Sequence, residues 1–181
     1  MMNIDLESMA IEMPAVFGHP NREPFRGVLT LVDVASDKAP AGARGHRVVL
    51  TRSAAETALA SLLGMALDYS LSLECHDAQR KVGVITRADI VGKKLELGGY
   101  LFAKDFPEIV KHIGRGRHCQ TSFDAASSQR HESLAMSYEI ADARVADMSA
   151  KVWTLTKVTF TGAAILRRDK AAYRDTWIEL D

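Results

Sequence analysis

Ser137 and His76 are the residues of this chain whose types and local settings could do chemistry together. A serine hydroxyl becomes a useful nucleophile when a neighbouring imidazole takes its proton, and such a pair can cleave acyl bonds through a covalent intermediate. Ser137 lies in the run Ser133-Leu134-Ala135-Met136-Ser137-Tyr138-Glu139-Ile140. Strand alternation puts Leu134, Met136, Tyr138 and Ile140 on one face, so Ser133, Ala135, Ser137 and Glu139 look the other way. The run Leu71-Ser72-Leu73-Glu74-Cys75-His76 reads in the same manner, with Leu71, Leu73 and Cys75 inward and Ser72, Glu74 and His76 outward. Taken singly, a strand serine or a strand-end histidine is ordinarily a surface residue. Only a fold that brings the two together makes a nucleophile and its base.

The remaining chemistry-bearing residues point to less. His112 and His118 flank Gly114-Arg115-Gly116-Arg117 and stand near Cys119, but that spacing fits no zinc module and reads as a solvated loop. His19, His46 and His131 stand alone, as surface or turn residues. Gly114-x-Gly116 lacks the third glycine and the preceding strand of a dinucleotide fingerprint, and there is no phosphate-binding loop. No metal and no organic cofactor is implied.

Composition bounds the setting. A chain of 181 residues with 47% hydrophobic content can bury one core, so a single domain over 1–181 is expected. Lys+Arg and Asp+Glu both number 23, which leaves no net field to draw the protein to nucleic acid or anionic lipid. The two cysteines, Cys75 and Cys119, are expected as free thiols in a cytosol, since a chain of this size needs no disulfide staple and the N-terminus is not signal-like. No apolar run approaches the roughly 18 residues that cross a bilayer, so a soluble protein is expected.

The elements that must position Ser137 and His76 follow from local pattern. Residues 1–24, with Pro14, Pro20 and Pro24, read as an extended arm with a short edge strand in 11–17. Strands are expected over 25–34 and 46–50, separated by a Gly/Pro-rich loop at 37–45. Ser53 and Glu56 have capping-box spacing and precede helical periodicity, predicting a helix over about 54–66. Two alternating runs, 82–90 and 95–102, flank a glycine-bearing turn and predict a hairpin with His76 at its entrance. Asp105 as cap, Pro107 in the first turn and Gly114 as terminator predict a helix over about 105–113. A polar, Ser-rich loop over 120–132 leads into the Ser137 strand; further strands follow at 143–145 and 152–161, and 167–181 reads as a terminal helix or tail. The expected fold class is α+β, an antiparallel, barrel-like sheet with a few peripheral helices.

The order of these features carries a resemblance. His76-Asp77 before Val82-Gly83, a hairpin ending Leu95-x-Leu97-x-Gly99-Tyr100-Leu101-Phe102, a helix, a polar loop, Leu134-Ala135-Met136-Ser137-Tyr138-Glu139, and then Trp153 to Ala164 ending in Thr161-Gly162-Ala163-Ala164 resembles the prohead (capsid maturation) serine proteases of tailed phages, over about 25–173. The resemblance implies a barrel-like fold shared with herpesvirus assembly proteases, with Ser137 as nucleophile and His76 as base. It implies an endopeptidase that trims scaffold and major capsid protein inside the procapsid, in the host cytoplasm, without nucleic acid or membrane as partner; self-association as a homo-oligomer is allowed. Gly162 and Ala163 fall where backbone N–H groups would form an oxyanion hole. The family's third catalytic position, usually an acid, falls at Lys157, and a cation there would oppose an imidazolium. Three readings follow: an acid arrives from Glu139, Asp77 or Asp89; Ser137 and His76 work as a dyad; or catalysis has been abandoned and the protein is a structural or scaffolding component of the capsid.

Overall fold

The computed structural model describes residues 8–14, 16–118 and 134–181. Cys119 and the polar stretch 120–132 lie outside the described residues, as do the side chains of Arg115, Arg117 and His118. In chain order the strands are β1 (Ser8–Ala10), β2 (Glu23–Leu31), β3 (Arg47–Leu50), β4 (Ala66–Asp68), β5 (Lys81–Val91), β6 (Lys94–Leu101), β7 (Leu134–Val145), β8 (Val152–Arg167) and β9 (Trp177–Leu180). Two short helices, α1 (Arg52–Ala58) and α2 (Pro107–His118), accompany them.

The architecture is mixed α+β, a single sheet in the order β3-β8-β4-β5-β6-β2-β9 curled into a half-barrel, with β1 added to β5 and β7 to β8. Most pairings are antiparallel, but β3 and β4 both run parallel to β8, which the sequence pattern did not disclose. Parallel neighbours need long crossovers, and alternation within a strand carries no information about them. The concave side holds the core, where Phe25, Leu29, Leu67, Ile85, Met136 and Phe160 are almost wholly buried. The curl brings β2 against β9 and β7. A Cβ on Gly27 would lie 2.4 Å from the Trp177 carbonyl oxygen and 2.7 Å from Met136 Sδ, so only glycine permits that approach.

Several local expectations are corrected. Leu71 to His76 is not a strand but a chain of turns and bends between β4 and β5. Leu73 has φ of 55° and is buried, whereas Leu71 is 74% exposed and Cys75 is exposed, so the period-two reading fails there. The first helix starts two residues earlier than Ser53-Glu56 suggested. Thr51 is its cap, with extended backbone and a side-chain Oγ1 accepting the Ala54 N–H at 3.2 Å. It ends at Ala58 and passes into a 3-10 turn over Leu59–Leu62. The second helix runs through Gly114 to His118. The expected edge strand at 11–17 is replaced by β1 at Ser8–Ala10. Residues 168–176 turn without forming a helix, and the chain closes as β9 on β2.

One core group has an unmet demand. The Tyr138 hydroxyl is buried with no hydrogen-bond partner among the described residues, and burial pushes its ionisation far above the ordinary tyrosine range. Its ring stands edge-on to Phe160 at 6.0 Å, an arrangement a phenyl ring would keep. Tyr138→Phe is therefore expected to stabilise the fold by about 1 kcal/mol, seen as a rise of about 2–4 °C in the thermal midpoint. A fall in the midpoint would show that the hydroxyl has a partner after all.

Candidate active site

Three strands supply the floor of the site. Ser137 and Glu139 alternate onto the same face of β7 and pair with Ala164 and Gly162 of β8; Asp68, the last residue of β4, pairs with Ala164 from the other side. Directly paired residues share a face, so Ser137, Glu139 and Asp68 project together with small residues between them. This depends on an irregularity. The ladder shifts register between Glu139 and Ile140, leaving Thr161 as the extra residue on β8. The bulge lets Phe160 and Ala163 both join the core while Gly162 takes the opposite face. A Cβ on Gly162 would come within 2.8 Å of Glu139 Oε2 and 3.2 Å of the Ala66 carbonyl oxygen, so the Glu139 carboxylate occupies the space that glycine leaves.

The connection between β4 and β5 brings in the histidine, and it is tied down at several points. The Arg167 N–H donates to the Leu73 carbonyl at 2.8 Å. Glu74 pairs with Lys170 at 3.3 Å and with Arg167 at 3.6 Å. The Asp77 N–H donates to Asp68 Oδ1 at 3.1 Å. Held in this way, His76 places Nδ1 3.1 Å from Glu139 Oε1, with both side chains about one-quarter exposed. A carboxylate accepting from Nδ1–H selects the tautomer in which Nε2 is the basic nitrogen, and it stabilises the imidazolium formed when Nε2 takes a proton.

Asp68 is the residue that the sequence pattern missed. Its side chain is fully buried beneath this pair. Burial is the main cause that pushes its carboxyl above the usual range, and the Glu139 charge adds to it; the Asp77 N–H, His76 and Lys81 oppose the rise. Asp68, His76 and Glu139 offer donor atoms within 4.8 Å of one another, the only donor set among the described residues that could be considered for a divalent cation. Each donor already has a partner from the chain: Asp68 has the Asp77 N–H and Lys81 Nζ at 3.5 Å, and His76 has Glu139.

Ser137 and His76 line one cleft of about 740 Å³ together with Glu139. Among the described residues Ser137 Oγ makes no hydrogen bond, so His76 and Glu139 are joined while Ser137 shares their cleft unjoined. Beyond the polar corner the lining is largely apolar and includes Val145, Met148, Trp153, Leu155 and the Ala39–Ala43 stretch. The ring of His46 stacks on Trp153 at 4.5 Å and stiffens that lining.

The other expected site residues lie elsewhere. Lys157 is exposed, opposite Arg144, and lies about 16 Å along β8 from Gly162 at the usual strand rise. Trp153 and Leu155 face inward, but Thr156 is an extra residue in the ladder, so Lys157 is turned out and Val158 takes the core. It does not reach His76. Gly162 and Ala163 lie inside β8, between β7 and β4, where backbone groups face ladder partners; this location gives no support to an oxyanion role. Of the three acids considered, Glu139 meets His76. Asp77 gives its N–H to Asp68 and takes the Gln79 N–H on its own carboxylate. Asp89 is bonded to Ser8 and Arg87 further along β5. No protein-family model matches this chain, and no curated protein matches it in sequence.

Gly162→Ala tests the floor of the site. The added methyl would displace Glu139 Oε2 and press the Ala66 carbonyl by a few tenths of an ångström, and the carboxylate, at the end of a flexible side chain, is the group that shifts. The expected outcome is a loss of about 1–3 kcal/mol in unfolding free energy, the ordinary cost of overpacking, with loss of the Glu139–His76 hydrogen bond in a crystal structure of the variant. A variant that keeps that bond at its present length would refute the packing argument.

Proposed function

We propose that this chain is a serine endopeptidase with Ser137 as nucleophile, His76 as general base and Glu139 as the acid that orients it. The observation that carries the reading is the His76 Nδ1 to Glu139 Oε1 hydrogen bond at 3.1 Å, in a cleft that Ser137 also lines. As Ser137 Oγ bonds to the acyl carbon of a substrate, its proton passes to His76 Nε2, and the resulting imidazolium is held at Nδ1 by the Glu139 carboxylate. That proton then goes to the leaving amine as the C–N bond breaks. Water repeats the sequence on the acyl-enzyme and frees Ser137. The missing Ser137–His76 bond is consistent with a resting enzyme, in which such contacts are often long until substrate arrives.

The resemblance to prohead maturation proteases supplies the setting: trimming of scaffold and capsid protein within an immature shell. Lys157 takes no part in this scheme, because Glu139 does the work expected of an acid at that position. The second reading, a catalytically silent capsid component that keeps a protease-like fold, is favoured by the one observation that Ser137 Oγ has no hydrogen-bond partner among the described residues.

A fluorophosphonate probe separates the two without knowledge of the substrate. Ser137 Oγ attacks phosphorus and fluoride leaves, so intact-protein mass spectrometry reads a covalent adduct, and peptide mapping places it. The wild type is expected to be modified on Ser137 and Ser137→Ala to be inert. Glu139→Gln is expected to be slower by about 10²- to 10⁴-fold, as general-base catalysis is lost. A folded wild type that stays unmodified would favour the structural reading, as would identical capsid-protein products on co-expression with wild type and Ser137→Ala.

A further inference from the structure

We infer that Asp68 is a second, buried positioning residue of this site, which holds the His76 segment by its backbone and holds the imidazolium by its charge. The inference rests on the hydrolase reading for its catalytic meaning. Asp68 ends β4 with no exposed surface and projects on the same side of the sheet as Ser137, since both pair with Ala164. Its Oδ1 accepts the Asp77 N–H, one residue beyond His76, so the carboxylate fixes where the imidazole stands. A donor atom of Asp68 also lies within 4.8 Å of those of His76 and Glu139.

The count of charges gives the second role. Asp68 on β4 and Glu139 on β7 carry two negative charges at close range, and β5 supplies one cation, Lys81, at 3.5 Å from Asp68 Oδ2. From β8 come only Gly162 and Ala164, which carry no charge. Glu74 in the histidine segment is engaged outward by Arg167 and Lys170, and Asp77 turns its carboxylate to Gln79. With His76 neutral the cluster is therefore one negative charge in excess, and a proton on His76 balances it. A group that must become an imidazolium in the transition state is placed where that charge completes the set. One carboxylate on the ring would orient it; two make the charged form the balanced one.

Asp68→Asn separates the roles, because the amide oxygen can still accept the Asp77 N–H while the charge is gone. Removing a desolvated charge should leave the fold at neutral pH no less stable. The sign follows from the raised carboxyl: its stabilising contribution is full below the ordinary carboxylate range and is lost as pH rises through the folded value. The expected result is an unchanged or raised thermal midpoint, fluorophosphonate modification of Ser137 slowed about tenfold or more, and an acid limb of the pH–rate profile moved to lower pH by about one unit or more. An unchanged rate and limb in a folded Asp68→Asn protein would overturn the inference.

A readout independent of turnover keeps this apart from failure of the hydrolase reading. If the wild type is never modified, a crystal structure of Asp68→Ala, which removes the acceptor for the Asp77 N–H, should still show the His76 Nδ1–Glu139 Oε1 hydrogen bond lost, whereas Asp68→Asn keeps it. An Asp68 with no part in placing the imidazole would leave that bond in both variants. Lys81→Met, which removes the compensating cation, also serves if Asp68→Asn does not fold, since it tests the same charge balance from the solvent side.

Discussion

A strand of sixteen residues cannot satisfy its backbone groups alone, and Val152–Arg167 does so by pairing with β3 and β4 on one side and β7 on the other. The rest of the molecule depends on that pairing. It sets which residues of β7 face the cleft, where β4 ends, and how the β4–β5 connection returns over the sheet. Two extra residues in its register, Thr156 and Thr161, change which side chains point inward along the strand. Without the second, Phe160 and Ala163 could not both face the core, and Glu139 would lose the gap at Gly162 into which its carboxylate fits.

The electrostatics follow from the same arrangement. Two carboxylates are brought together at the end of a sheet, and one of them is taken entirely out of water. Such a pair is unfavourable for folding unless cations or protons answer it. Lys81 answers part, and the imidazole of His76 is the group left to answer the rest. The cost is local and is borne by a sheet whose core is otherwise apolar.

The cleft extends this logic outward. Its polar corner holds Ser137, His76 and Glu139, and its apolar lining includes Val145 from the end of β7, Trp153 and Leu155 from the start of β8, Met148 between them and the 39–43 stretch. An extended peptide chain has both an apolar side-chain surface and a polar backbone to place in such a groove. The stacking of His46 on Trp153 and the bond from Trp153 Nε1 to the Met148 carbonyl at 3.2 Å keep that lining in one shape.

Local pattern by itself determined a good part of this protein. The β5–β6 hairpin was legible because alternation and a glycine turn are properties of neighbouring residues. So was the common face of Ser137 and Glu139 on β7, since a period of two needs no knowledge of the partner strand. The presence of α2 followed from the signals around Pro107, although the helix begins at Pro107 rather than at 105. What the tertiary structure decided is everything that depends on register between distant segments. Leu71 to His76 looked like a strand, but a positive φ at Leu73 and anchors from Asp68 and Arg167 make it a turn that delivers the histidine. Glu139 rather than Asp77, Asp89 or Lys157 meets that histidine, because a bulge at Thr161 opens a space over Gly162 and an extra residue at Thr156 turns the lysine to solvent. Asp68 gave no local signal at all. Its role exists only where β4, β8 and β7 lie side by side, and the pairing of strands far apart in the chain is a balance of backbone hydrogen bonds and burial that no short window of residues contains.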